Sequence, residues 1–306
     1  MSKNVKIIFF GDIVGRLGRR AVGECLKDLQ AGEFPPDFSI VNVENASHGF
    51  GLTQKNYNEI SGYGFDCLTS GNHIWDKKEI FKYIDKADKL IRPINYPKKT
   101  KGVGSRVFEV GEHKIAVINA LGRTFMHPVD SPWEVVKKEV KKLKKITPNI
   151  LIDFHAEATA EKICFAKFCS ELGVSAFLGT HTHVQTADEK IINDMAYITD
   201  VGFCGVIDSV IGMEYKTSLK RLSTGLPERY EIPSSKVVQI NAVEILIDLE
   251  TGKSLEIKRF LSEKNYMGVN VLTSAKESLY HYEEEGVNVL TSVKESLYYC
   301  EEEVKK

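Results

Sequence analysis

The chain has 306 residues, 42% of them hydrophobic and 27% charged, the composition of a soluble globular protein between one large domain and two ordinary ones. Its 41 Lys and Arg against 42 Asp and Glu leave a formal net charge of −1, so no global basic field exists to hold a long nucleic acid or an anionic membrane by counterion release. No window approaches about 18 consecutive apolar residues, which excludes a membrane-spanning helix, and the N-terminus lacks the apolar stretch of a signal peptide, so a cytoplasmic protein is expected.

The first apolar run, residues 5–10 (VKIIFF), reads as a short buried strand bounded by Gly11. Asp12 follows it, either a hard oxygen donor suited to Mn, Fe, Mg or Zn or merely a turn or cap residue. A helical segment over 19–30 leads to a second strand, 38–43 (FSIVNV), and then to Glu44 and Asn45. Bridging two cations takes a carboxylate, so Glu44 is the candidate bridge and the Asn45 carboxamide a neutral ligand beside it. Past a helix over 53–61, the third strand, 66–70 (DCLTS), ends in Gly71-Asn72-His73. Gly71 permits a tight turn that aims both following side chains inward. Asn72 would ligate metal, while His73, held farther out, would protonate a departing alkoxide or stabilise phosphoryl charge, unless its role is structural.

A helix is expected over 77–87, a hairpin over 107–119 around Gly111-Glu112, and a helix over 133–145. The run 150–154 (ILIDF) reads as a strand with His155 at its tip, a residue ambiguous by itself. A helix over 159–172 and a strand over 174–179 (VSAFLG) precede Thr180-His181-Thr182-His183. In an extended segment, imidazoles at i and i+2 project to the same face, which makes His181 and His183 a strong metal signal. A second hairpin is expected over 237–260 around Thr251-Gly252.

Residues 268–285 (GVNVLTSAKESLYHYEEE) are followed by a near-copy at 286–303 (GVNVLTSVKESLYYCEEE), whose apolar residues fall at helical spacing. Two units are too few for a solenoid, so this tail reads as a helical appendage or as an oligomerisation or docking element. The expected division is a catalytic domain over 1–263 and the tail over 264–306. Cys25, Cys67, Cys164, Cys169, Cys204 and Cys300 show no Cys-x-x-Cys or disulfide-framework spacing and read as small buried hydrophobes.

Alternating strands and helices argue for an α/β layered fold, and the two hairpins for mixed sheets packed face to face with helices outside. Ligands of open α/β sheets collect at the carboxyl ends of strands, so Asp12, Glu44, Asn45, Asn72, His155, His181 and His183 converge on one rim, the arrangement of a two-metal hydrolase.

The pattern resembles the calcineurin-like metallophosphoesterases, with an N-terminal Asp, a Gly-Asn-His block, a lone His and a terminal His-x-His. It departs from the broad superfamily where Ile13 and Val14 follow Asp12 in place of Asp-x-His, and where Glu44-Asn45 replaces an Asp. Those departures match the narrower YmdB-like family of cyclic-nucleotide phosphodiesterases, as do GDIVG, VNVENASHGFG, LTSGNHIWD, LGR, DFHAEAT, LGTHTHVQTAD, AYITDVG and DSVIGM, over about residues 4–260. The resemblance implies an α/β/β/α metallophosphoesterase sandwich. It implies one metal on Asp12, Glu44, Asn45 and His183, with Asn45 replacing the missing histidine, and a second on Glu44, Asn72, His155 and His181. The ions would be divalent or trivalent, Fe or Mn, with His73 as the proton donor. The implied reaction is attack of a metal-bound hydroxide on the phosphorus of a small phosphodiester, a cyclic nucleotide with the 2′,3′-cyclic form favoured. A phosphomonoesterase or nuclease using the same metals, and a nucleotide-responsive regulatory protein, stay open, as does a homo-oligomeric state. His48 either touches substrate or is solvated; Arg123 and His127 either meet a phosphate or pair on the surface.

Overall fold

A computed structural model describes residues 4–266. In chain order it contains β1 (Asn4–Val14), α1 (Gly15–Gln30), β2 (Phe38–Asn45), α2 (Gln54–Gly62), β3 (Cys67–Thr69), α3 (Ile80–Tyr83), β4 (Ser105–Val110), β5 (His113–Leu121), α4 (Pro132–Leu143), β6 (Ile150–His155) and α5 (Thr159–Glu171). These are followed by β7 (Ala176–Thr180), β8 (Lys190–Ile192), β9 (Met195–Ile198), β10 (Phe203–Val206), α6 (Tyr215–Thr224), β11 (Val237–Asp248) and β12 (Ser254–Asn265).

The strands form two six-stranded mixed sheets, ordered β12-β11-β10-β1-β2-β3 and β4-β5-β6-β7-β9-β8. Within the first, β10, β1, β2 and β3 run parallel, while β11 and β12 are antiparallel additions. Within the second, β5, β6, β7 and β9 run parallel between antiparallel edges.

The side-chain alternation of β1 explains the layering. Val5, Ile7 and Phe9 join Ile115, Val117, Leu151 and Leu178 in the core between the sheets, whereas Ile8, Phe10 and Ile13 pack with Ala21, Val22 and Leu26 of α1 on the outer side. On the far face of the second sheet, Ile118, Ile152 and Phe154 meet Val136 and Val140 of α4 and Phe165 of α5. A strand buried on both faces has to be apolar at nearly every position, which is why these segments read as runs and not as alternations. The α/β/β/α sandwich expected from sequence is therefore the fold.

Both expected hairpins form, as β4–β5 and β11–β12. The helix expected over 77–87 does not run through: it is α3, four residues long, followed by a 3-10 turn at Ile84–Lys86. Ile80, Tyr83 and Ile84 keep the buried spacing, but Asp85 turns aside to accept the Gly102 backbone N–H and Tyr83 donates to the Leu52 carbonyl. Between residues 184 and 236 the chain holds β8, β9, β10 and α6, which no expectation covered; the strands have only three or four residues each. Four of the five cysteines among the described residues are buried, but Cys164 is exposed, because it lies on the outer face of α5; all five are free. The duplicated segment lies outside the described residues. Among the described residues no helix is long and apolar enough to cross a membrane.

Candidate active site

The carboxyl ends of β1, β2, β3, β6 and β7 bring all seven expected donors to one rim. Asp12 is not past the end of β1 but within it, at an irregularity where the register to β2 shifts on either side. Glu44 and Asn45 are the last residues of β2, His155 the last of β6, and Asn72 opens a 3-10 turn after β3.

Asp12 is wholly buried. Its Oδ2 accepts the His181 backbone N–H at 3.0 Å, and burial pushes its carboxyl up to about 8. Glu44 Oε1 accepts the His73 backbone N–H at 2.6 Å and lies 3.4 Å from His155 Nε2. Burial favours the neutral acid at Glu44, but the facing His155 outweighs it and holds the carboxyl low. Asn45 donates from its amide nitrogen to the Gly49 carbonyl, which leaves Oδ1 inward, 3.2 Å from His183 Nε2.

Each histidine is oriented by a partner behind it, and the partners fix which ring nitrogen faces the centre. The Thr180 hydroxyl donates to Asp153 Oδ1 at 2.7 Å and so accepts from His155 Nδ1 at 2.9 Å, turning His155 Nε2 inward. His183 Nδ1 donates to the Ile211 carbonyl at 2.7 Å, leaving Nε2 toward Asn45 and, at 4.0 Å, Asp12. His181 sets Nε2 against Glu157 at 3.1 Å and presents Nδ1 to the centre.

The expected route to the His181–His183 pair needs correction. β7 stops at Thr180, and both histidines have left-handed backbone, with φ of 100° and 65°. They converge through a strained loop and not along an extended strand. Gly71, which caps the turn before Asn72, has a second role: a Cβ there would lie 2.2 Å from the His155 ring, so glycine leaves room for that imidazole.

The donor chemistry fits metal ions. Asp12 Oδ1, Glu44 Oε2 and Asn72 Oδ1 are buried without a hydrogen-bond partner, an expensive state for a polar atom unless something else engages it. His155 Nε2 and His181 Nδ1, whose opposite nitrogens are committed to Thr180 and Glu157, face each other at 3.1 Å. A proton shared between them, or a cation in its place, satisfies both nitrogens. Burial opposes a proton on His155, but Glu44 and Asp12 outweigh it and raise the imidazole to about 9; burial and then His155 push His181 down to about 2. Among the described residues no three or more His, Cys, Asp or Glu side chains form a ready-made cage. The candidate donors are instead two carboxylates, two carboxamides and three imidazoles spread along the rim.

His73 stands at the cavity wall, its side chain 29% exposed, with Nδ1 2.8 Å from Asp76 Oδ2. Phe50 packs edge-on against its ring at 4.8 Å. The cavity, about 360 Å³, is lined at one end by Glu44, Asn45, His73, His181 and His183. His48 is exposed on the rim of an adjoining depression that shares Phe50 and His73. Arg123 and His127 are exposed and line neither.

Several residues of the site were missed from sequence. Asp76 had a usable signal, because residues three apart on a 3-10 turn eclipse one another. Asp153, a carboxylate inside the apolar run ILIDF, was a second. Thr180, Glu157 and Ile211 carried none.

Over residues 8–260 the sequence matches the family described as YmdB-like protein. The chain belongs to the YmdB-like family. It is similar to the 2′,3′-cyclic-nucleotide 2′-phosphodiesterase of Bacillus subtilis, with 44% identity over 264 residues that cover 86% of this chain and 99% of that one. Its fold matches the crystal structure of a novel phosphatase from Mycoplasma pneumoniae, with a TM-score of 0.80 and 34% identity over 87% of this chain and 95% of the other. A hypothetical protein from Thermus thermophilus aligns with a TM-score of 0.79 and 35% identity over 85% and 99% of the two chains. This YmdB-like chain is a hydrolase acting on phosphoric esters, of the metallophosphoesterase type.

Proposed function

We propose that this chain is a metal-dependent cyclic-nucleotide phosphodiesterase with 2′,3′-cyclic esters as its favoured substrates. The observation that carries this reading is the set of three unpartnered buried oxygens, on Asp12, Glu44 and Asn72, on the same rim as three imidazoles turned inward by their own hydrogen bonds. The similarity to the Bacillus subtilis phosphodiesterase supports the substrate class.

In this reading Asp12, Glu44, Asn45 and His183 would hold one ion and Glu44, Asn72, His155 and His181 a second. Oxygen and nitrogen donors without thiolate suit Fe or Mn. Ions held there would supply Lewis acidity toward phosphoryl oxygens and an activated water. The remaining steps belong to the chain. A ribose hydroxyl is a poor leaving group, and His73 is the group that gives it a proton. Because Asp76 engages Nδ1 at 2.8 Å, Nε2 is the nitrogen left to deliver the proton. Phe50, packed against the His73 ring, limits the positions that ring can take.

The test is metal content of the purified protein together with hydrolysis of 2′,3′-cyclic AMP, 3′,5′-cyclic AMP and bis(p-nitrophenyl) phosphate, for wild type and Glu44→Gln. Two metals per chain with Glu44-dependent cleavage, fastest on the 2′,3′-cyclic ester, is the expected result. Near-normal turnover by a fully metallated Glu44→Gln protein would overturn the bridging assignment, and a metal-free active protein would overturn the reading itself.

A further inference from the structure

We propose that the apolar half of the cavity beside His73 is a nucleobase subsite, with Tyr230 and Phe50 as its stacking wall and Ser218 as its polar anchor. This deepens the proposed function and rests on it. The cavity's volume of about 360 Å³ lies within the range of small-molecule sites, which pair apolar walls with a few convergent polar groups.

Beside the candidate donors, the lining includes Phe50, Ile211, Met213, Leu222, Tyr230 and Ser218. The Phe50 and Tyr230 rings lie 5.9 Å apart with a 41° tilt, so together they make a continuous aromatic surface. The Arg221 guanidinium lies 4.7 Å from the Tyr230 ring centroid and steadies it. Leu222 is 75% exposed and Ile211 48% exposed, apolar area at the cavity that a planar ring would cover.

Ser218 supplies the independent observation. It is 2% exposed, yet its Oγ has no hydrogen-bond partner. A buried hydroxyl left unmatched is costly, and the alternating nitrogen and oxygen atoms along a base edge are what would satisfy it. A purely alkyl or aryl group would fill the alcove without engaging Ser218. The alcove also lies on the right side of the chemistry, because Phe50 touches both the His73 ring and Tyr230. A ribose 2′,3′-cyclic phosphate with phosphorus at the donor end would carry its base toward that wall.

The experiment compares kcat/KM for 2′,3′-cyclic AMP and for a baseless substrate, methyl riboside 2′,3′-cyclic phosphate, in wild type, Tyr230→Ala and Ser218→Ala. Direct binding of adenosine is followed in parallel by saturation-transfer NMR. Wild type is expected to prefer the nucleotide, with the difference carried by KM, and Tyr230→Ala to lower that preference roughly 5- to 150-fold, the range for loss of one base–aromatic stack. Ser218→Ala should lower it by less. Mere misfolding would depress both substrates together and leave their ratio unchanged. Equal kcat/KM for the two substrates in wild type, or an unchanged ratio in Tyr230→Ala, would overturn the subsite. If neither cyclic ester is cleaved, the proposed function fails, and the subsite then stands or falls on whether adenosine binds wild type and is lost from Tyr230→Ala.

Discussion

Asp200 holds Thr182, the residue between the two loop histidines, by two bonds from one carboxylate oxygen: Oδ2 accepts the Thr182 backbone N–H at 3.0 Å and its hydroxyl at 2.7 Å. Lys162 Nζ, wholly buried, donates to the same oxygen at 2.7 Å. Residues with left-handed backbone cost about 1–3 kcal/mol each and persist only where their surroundings hold them. His181 and His183 are two such residues, and Asp200 is what holds the turn between them.

Lys162→Met therefore leaves a buried carboxylate without its cation. Unfolding in urea should show a loss of about 3–5 kcal/mol, the usual cost of breaking a buried pair from one side. Thr182→Ala keeps the pair and removes one charge-assisted hydrogen bond, so about 1.5–3 kcal/mol is expected from the same measurement. A Lys162→Met loss within the range of ordinary surface changes would contradict this account.

His73→Ala should lower kcat by roughly 10²- to 10⁴-fold with metal content retained, the size of a general acid contribution. Asp76→Asn should lower it by less. Because Asp76 acts through His73, the double variant should be no slower than His73→Ala alone. Additive losses in steady-state kinetics would show that Asp76 has a separate task, and loss of metal from His73→Ala would make His73 a ligand.

Thr180→Val removes the hydroxyl that links Asp153 to His155. Metal affinity, read by competition with a chelator, should fall about 10- to 100-fold, as is usual when the group orienting a ligating histidine is lost. Thr180→Ser should restore most of it. Equal affinities in all three proteins would remove Thr180 from the site.

Gly71→Ala places a methyl group 2.2 Å from the His155 ring. The overpacking should cost about 1–3 kcal/mol of stability and displace the imidazole, so metal content should fall alongside. A crystal structure of the variant with His155 unmoved would refute the steric reading.

How much of this was legible beforehand follows from range. Runs such as VKIIFF and ILIDF are apolar because their strands are covered on both faces, a local consequence of burial, so the longer strands, most helices and the candidate donors that follow them could be read residue by residue. Asp76 lay within the same reach, three residues from its partner. The 3- and 4-residue strands β8, β9 and β10 did not, because segments that short carry too little periodicity to stand out from a loop.

What the linear chain determined by itself is the inventory: alternating elements, seven candidate donors, the candidate acid His73, and the motifs that mark the YmdB-like family. The tertiary structure alone decided how the inventory is arranged. The sheet order, with β11 lying antiparallel against both β1 and β10, depends on long-range pairing. The inward nitrogen of each histidine depends on Thr180, Glu157 and Ile211, each of which comes from a different segment than the ring it orients. The left-handed backbone at His181 and His183 runs against local preference, since a non-glycine residue seldom adopts it unaided. It is stabilised by a carboxylate 18 residues downstream of Thr182 and a lysine on α5, and no local reading of Thr-His-Thr-His contains those contacts.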